Sequence, residues 1–100
     1  MSDRQLVFED FADKVGQIFT VTFDDAPCVA MALVAAEPLK AQQPPPAGRP
    51  PFSLIFVADT AQMLPQRLYR VEQEALGQVT LFLVPVGKKP EGFEYQALFN

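Results

Sequence analysis

The chain has 100 residues, of which 49% are hydrophobic, and its formal net charge is −4. This length predicts a single domain over residues 1–100, and nine Phe exclude general disorder because buried rings offset the entropy lost on folding. Eight Lys and Arg scattered along an acidic chain make nucleic acid a poor partner, since phosphate recognition needs several cations on one face.

The first predicted element is a short amphipathic helix. Phe8, Phe11, Ala12 and Val15 follow the i, i+3, i+4, i+7 spacing of one helical face. Gly16 is placed to end the helix in the left-handed conformation. We expect the helix to cover an open end of the fold, with its two Phe rings inserted.

Two strands joined by a turn are predicted next. Residues 18–23 alternate, with Phe19 and Val21 on the inner face. Residues 24–27 are typical of a turn, and residues 28–37 are apolar enough for a strand covered on both faces or nearly so.

A proline-rich segment interrupts the strands. Residues 40–51 hold five of the ten Pro residues, which disfavour both helix and sheet pairing, so we expect a long exposed loop. Residues 52–58 then form a strongly apolar third strand, and residues 60–66 a turn or loose helical turn.

The fourth and fifth strands are predicted around a short turn. Residues 68–72 alternate less cleanly and indicate a strand with one wet face. Residues 74–77 supply the turn into a fifth strand at 78–84, whose pairing should end or bulge at Pro85 because that residue has no amide hydrogen.

The last strand follows a turn predicted at residues 87–92. Residues 93–99 alternate strictly, with Glu94 and Gln96 facing water. The inward side chains of this strand are Phe93, Tyr95, Ala97 and Phe99.

These elements together predict a mainly β fold. Six strands joined mostly by short turns must form an antiparallel sheet, because each parallel crossover needs about a dozen residues. Strands that are apolar on both faces favour a curved sheet closed into a small barrel or sandwich, with the single N-terminal helix capping one end.

The sequence offers little catalytic chemistry. It has no His, one Cys, and only Ser2 and Ser53 as serines, so neither a nucleophile–imidazole system nor a zinc site can be assembled. Asp24 and Asp25 are adjacent but lie in a predicted turn, where solvent keeps carboxylates from acquiring a raised pKa. We therefore predict a protein that is not an enzyme and has no cofactor or metal.

Cys28 and the apolar segments bear on location. Cys28 lies in an apolar stretch without a second Cys, so we expect it to fill the core. The first ten residues lack the apolar segment of a signal peptide, and the longest apolar run, residues 26–36, falls short of the ~20 residues a membrane helix needs. These features predict a soluble cytoplasmic protein, with incorporation into a particle left open.

Several segments resemble a family of small bacterial domains of unknown function. They are FEDFADKVGQIF (8–19), FSLIF (52–56), YRVEQEALG (69–77), LFLVPVG (81–87) and YQALFN (95–100). Members of that family often accompany proteins with phage-tail-collar-like domains, so the resemblance implies a role beside a tail-like or fibre-like assembly. It implies no catalytic residues, and the proline-rich segment looks like an insertion.

The leading functional hypothesis is a non-enzymatic structural or protein-interaction module. Its predicted partner contacts are the turn residues Asp24 and Asp25 and the last-strand residues Phe93, Tyr95 and Phe99, with that strand free to pair with a partner strand. The alternative is a barrel that binds a small apolar ligand in its interior. That interior would be lined by Phe19, Phe23, Phe56, Phe82 and Tyr95.

Overall fold

The computed structural model of the chain describes residues 7–22, 28–38, 51–60 and 63–99. The predicted turn at 24–27 and residues 40–50 of the proline-rich segment lie outside the described residues. The elements are one helix, α1 (Glu9–Ala12), and six strands: β1 (Ile18–Thr22), β2 (Val29–Pro38), β3 (Phe52–Ala58), β4 (Arg67–Gln73), β5 (Gly77–Lys89) and β6 (Gly92–Phe99).

The six strands form a closed barrel in the order β1-β2-β3-β6-β5-β4, and every neighbouring pair is antiparallel. The prediction of a mainly β, six-stranded antiparallel fold with one short helix is confirmed, in its barrel form. β6 has no free edge at Tyr95, which is aligned with Phe56 of β3 on one side and with Pro85 of β5 on the other.

Alternate side chains of the strands fill the barrel. Phe19 and Val21 face inward from β1 as predicted, and Leu81 and Leu83 face inward from β5. Burial of each such side chain contributes about 1.5–3 kcal/mol. The other buried apolar residues are Phe11, Met31, Leu33, Phe52, Leu54, Phe56, Ala58, Tyr69, Val71, Tyr95 and Ala97.

The helix covers one end of the barrel, as predicted. The Phe11 ring is fully buried, with its centroid 6.3 Å from Phe19, 5.9 Å from Phe52 and 5.8 Å from Phe99. Phe8 packs edge-on against Phe52 at 6.2 Å. These contacts join α1 to β1, β3 and β6, so the two rings close that end.

The helix is shorter than its spacing predicts. It ends at Ala12, and Val15, expected on the buried face, is 47% exposed. The amide of Lys14 bonds to Phe11 O and the amide of Gln17 bonds to Lys14 O, so consecutive tight turns replace further helix. Gly16, at φ +93°, turns the chain into β1.

A buried amide fastens the turn between β4 and β5. The Gln73 side-chain oxygen accepts hydrogen bonds from the amides of Ala75 and Leu76 at 2.7 and 2.9 Å. Its Nε2 donates to Oε1 of Gln17 at 2.6 Å. Gln73 therefore links this turn to the chain between α1 and β1.

Residues 63–66 pack over the opposite end of the barrel. The amide of Leu64 donates to the Tyr95 hydroxyl at 2.7 Å, and the Tyr69 hydroxyl donates to the carbonyl of Pro65. Leu64 also packs against the core. Two tyrosines on the barrel wall thus hold an apolar side chain across the end that the helix does not reach.

β2 departs from its prediction. It is not covered on both faces, because Met31 and Leu33 are buried while Ala30 and Val34 are exposed. The register against β3 shifts between Leu33 and Ala35, which makes Val34 an extra, bulged residue. The strand is apolar on its outer face without being covered there.

β5 is longer than predicted. A bulge does follow Pro85, since the register against β6 shifts between Pro85 and Gly87. The strand does not end there, however, and the turn predicted at 87–92 contains only Pro90 and Glu91 outside the strands. Pairing continues because β6 still offers partners after the bulge.

Candidate binding groove

A groove of about 560 Å³ lies on the outside of the barrel, between the wall of β1, β2 and β3 and the tip of the β5–β6 hairpin. We call it the outer groove. Its floor is formed by Ile18, Ala30, Met31, Ala32, Val34 and Val57, and its rim by Asp59, Lys89, Glu91 and Glu94.

Strand register builds the apolar floor. Ile18 is aligned with Ala32, and Ala32 with Val57, so one outward-facing row crosses three strands. The small Ala side chains leave a depression, and the larger side chains of Ile18 and Val34 border it while remaining 55% and 45% exposed. Val34, the bulged residue, faces outward on the same side of β2 as Ala30 and Ala32.

The rim is acidic. Asp59, Glu91 and Glu94 supply three carboxylates against the single ammonium group of Lys89, a net charge of −2. The Lys89 Nζ lies 3.5 Å from Oε2 of Glu94, which is aligned with Val57 and so stands directly beside the floor. The acidic charge is therefore concentrated on one side of an apolar depression.

Gly92 brings the rim together. A Cβ at this position would lie 2.2 Å from the carbonyl oxygen of Ala58 and 3.0 Å from the Cα of Asp59. The absence of a side chain lets the hairpin approach the end of β3 closely. Glu91 consequently belongs to the same rim as Asp59.

The groove combines an aliphatic floor with a charged rim. Its titratable side chains are carboxylates and one amine, set around aliphatic groups. Within residues 7–22, 28–38, 51–60 and 63–99, no three His, Cys, Asp or Glu side chains are placed to hold a metal ion. In the same described ranges, no helix has the length and apolar character needed to cross a membrane.

The structure describes three of the five predicted contact residues. Asp24 and Asp25 lie outside the described residues. Phe93 is half-buried, with the Lys88 Nζ 5.6 Å from its ring centroid, and Phe99 stacks on Phe52 at 4.4 Å. Tyr95 is fully buried and offers no surface to a partner.

Cys28 does not fill the core. It is an exposed free cysteine, which corrects the prediction made from its apolar neighbours. The reason is its position: it precedes β2 by one residue, so it lies at the mouth of the barrel and not within the wall.

The side chains predicted to line an interior ligand site divide between inside and outside. Phe19, Phe56 and Tyr95 are fully buried, and the Phe19 and Phe56 rings pack edge-on with centroids 5.2 Å apart. The prediction that Phe82 faces the interior is wrong, because its side chain faces outward opposite Leu68 and is 44% exposed. Phe23 lies outside the described residues.

The residues of the outer groove were not predicted as a site. The sequence carries a signal for them, since apolar residues occupy the outward positions Ile18, Ala30, Ala32 and Val34 of neighbouring strands. That signal becomes readable only once the inward face of each strand is fixed.

One comparison with known proteins assigns a family. A family described as "Domain of unknown function (DUF6916)" matches residues 6–99. The chain belongs to this family. The DUF6916 match spans the helix and all six strands, so the barrel and the outer groove both lie within it. Comparisons with curated proteins and with solved structures found no match.

Proposed function

We propose that this chain is a non-enzymatic protein-interaction module that binds its partner in the outer groove. The observation that carries the proposal is the groove itself: an apolar depression of about 560 Å³ on the outside of a barrel. Exposed apolar surface of this kind, rimmed by polar groups, is typical of protein-binding sites.

The barrel interior supports an external site. A barrel of about six strands is normally filled by its own side chains. Here Phe11 and Leu64 pack over the two ends, and the rings of Phe19 and Phe56 meet inside. A partner on the outer wall meets side chains that already face solvent and need not displace this core.

For the partner, we propose a component of a tail-like or fibre-like assembly. This rests on the resemblance of segments such as 8–19 and 81–87 to small bacterial domains that accompany phage-tail-collar-like proteins. The chain would then act as a structural accessory, in the cytoplasm or incorporated into the particle.

Affinity capture from the native host, with groove and control variants, tests the proposal. Ala30→Trp places a large ring in the groove, whereas Thr80→Trp places the same ring at an exposed position of β5 outside it. Both positions face outward, so both variants should fold, which thermal melts would check.

We expect a protein that is captured by the wild type and Thr80→Trp and lost with Ala30→Trp. The purified pair should show the same pattern in calorimetry, with affinity reduced at least about tenfold by Ala30→Trp, the effect of losing ~1.4 kcal/mol. Equal binding by both variants would contradict the proposal. So would recovery of a small apolar molecule in place of a protein.

A further inference from the structure

We infer that the outer groove recognises a protein segment in which an apolar side chain is followed closely by a Lys or Arg. This inference rests on the proposed function and adds the chemistry of the partner. It is carried by two properties of one surface: an aliphatic floor and a rim with excess negative charge.

The floor selects the apolar part of the partner. Ala30 and Ala32 form the depression, while Ile18 and Val34 border it with exposed aliphatic surface. A volume of about 560 Å³ holds a few side chains but not a folded domain. A Leu-sized or Ile-sized side chain entering it removes apolar area from water on both partners.

The rim selects the charge. Lys89 pairs with Glu94, so the ammonium group of the rim already faces a carboxylate of the rim. Within the described part of the chain, neither Asp59 nor Glu91 has an ion pair with a cation. Two carboxylates are thereby available to a cation brought by the partner.

Charge complementarity decides between segments of equal hydrophobicity. A segment carrying Asp or Glu would place like charges beside Asp59, Glu91 and Glu94 and would be repelled. A Lys or Arg can lay its aliphatic stem along the floor and extend its cationic head to the rim. The overall net charge of −4 acts in the same direction at low salt.

Fluorescein-labelled peptides are the direct probe. We would use hexapeptides in which Leu alternates with Arg, sister peptides with Glu or Gln in place of Arg, and 4-phenylbutylamine as a small cationic amphiphile. Fluorescence anisotropy of the labelled peptides with the full chain at low and high salt measures peptide binding, and calorimetry measures binding of the unlabelled amine. The Arg peptides should bind most tightly, with affinity falling as salt rises, and the Glu peptides should not bind.

Charge-neutralising variants locate the effect. Asp59→Asn and Glu91→Gln should each weaken binding of the Arg peptides by about two- to fivefold, the range of exposed ion pairs. Glu74→Gln, in the turn at the helix-covered end of the barrel, is the matched control and should change nothing. Thermal melts establish that each variant is folded.

The outcomes separate this inference from the proposed function. If a captured partner needs the groove but neither salt nor Asp59→Asn and Glu91→Gln alters its binding, the inference is wrong and the proposed function stands. If 4-phenylbutylamine binds and no peptide does, the occupant is a small molecule and both fail. If Arg and Glu peptides bind equally, the rim does not select charge and the inference is overturned.

Discussion

Gly92 lets the tip of the β5–β6 hairpin approach the end of β3 beside the outer groove. Its φ of +148° is a conformation that residues with a side chain rarely adopt. Its backbone also lies so close to Ala58 that a Cβ would overlap the Ala58 carbonyl oxygen at 2.2 Å. Because the obstacle is backbone, a rotamer change cannot relieve the overlap.

Gly92→Ala should therefore be strongly destabilising. We expect a loss of about 3 kcal/mol in the free energy of unfolding, from conformational strain and from separation of the hairpin from β3. Gly77→Ala is the control, since Gly77 also has positive φ, +75°, but nothing lies within 4 Å of its Cβ position. It should lose only about 1 kcal/mol. Urea denaturation measures both, and equal losses would mean that the close approach is unimportant.

The buried phenol of Tyr69 leads us to expect that the protein loses stability at alkaline pH. Burial raises the pKa of the Tyr69 phenol, opposed by the positive charge of Arg67. The pKa of Tyr69 is therefore higher in the folded protein than in the unfolded chain, where it is about 10. Folding thus favours the protonated phenol. The resulting stabilisation is fully present below about pH 10 and is lost as the pH rises through the folded pKa.

Tyr69→Phe tests this sign. At neutral pH the variant should be less stable by about 1 kcal/mol, because it lacks the hydrogen bond to Pro65. Between about pH 9 and pH 11 its stability should fall less than that of the wild type. Denaturant melts across this range provide the measurement. Parallel declines in the two proteins would show that the Tyr69 proton is not linked to folding.

At the residue scale, the sequence correctly predicts which side chains face the barrel interior where a strand is regular. Phe19 and Val21 face inward as their alternation with Thr requires. The apolar character of Cys28 and Phe82 predicts burial for both, but Cys28 precedes its strand and Phe82 alternates with the inward Leu81, so both are exposed. In such cases the pairing partner, not the residue type, determines which side is inside.

Among the elements, α1 contributes through one side chain. It has a single turn, too short for intrinsic helical stability, and it is held by the ring of Phe11 among three other Phe rings. The helix and the barrel end therefore stabilise each other, and loss of the ring should affect both.

Phe11→Ala should destabilise the protein by about 3–5 kcal/mol, the cost of deleting an enclosed ring and leaving a cavity. Val15→Ala, in the same segment but 47% exposed, should change stability by less than about 0.5 kcal/mol. Denaturant melts distinguish the two. A loss below about 0.5 kcal/mol for Phe11→Ala would place the helix off the core.

The presence of six strands could be predicted from the sequence, whereas the residues at which each strand ends could not. Alternation with period two marks β1 and β6, and dense apolar runs mark β2 and β3, whichever strand each of them pairs with. The extent of β5 depends on β6, which continues to offer partners beyond Pro85. The bulge at Val34 likewise arises from the register against β3 and has no marker within β2 itself.

For the molecule as a whole, closure of the barrel limits where a further strand can pair with the sheet. β4 pairs with β5 only as far as Leu83, so among the described strands residues 84–89 of β5 have a neighbour on one side alone. That edge carries Pro85, a bulge, Lys88 and Lys89, which are the features that oppose strand addition. Backbone pairing with a partner strand is therefore disfavoured along this part of β5, which is compatible with the proposed binding through side chains of the outer groove.

The groove could not be predicted from the sequence without the strand registers. Ile18, Ala32 and Val57 are far apart in the chain and become one row only through the registers of β1, β2 and β3. Glu91 joins them because the hairpin is long and Gly92 lets its tip approach β3. The sequence predicts the strands that form the barrel wall. The groove also depends on the registers of these strands and on how far β5 and β6 extend.

The outer groove is the proposed site at which this protein binds its partner. The most direct measurement is the ¹⁵N–¹H NMR spectrum of the labelled chain, with and without the captured partner. We expect the largest shift changes at Ile18, Ala30, Val57 and Glu91, with Leu68 and Phe82 on the β4–β5 wall little changed. Changes concentrated at Leu68 and Phe82, or in the barrel interior, would contradict the claim.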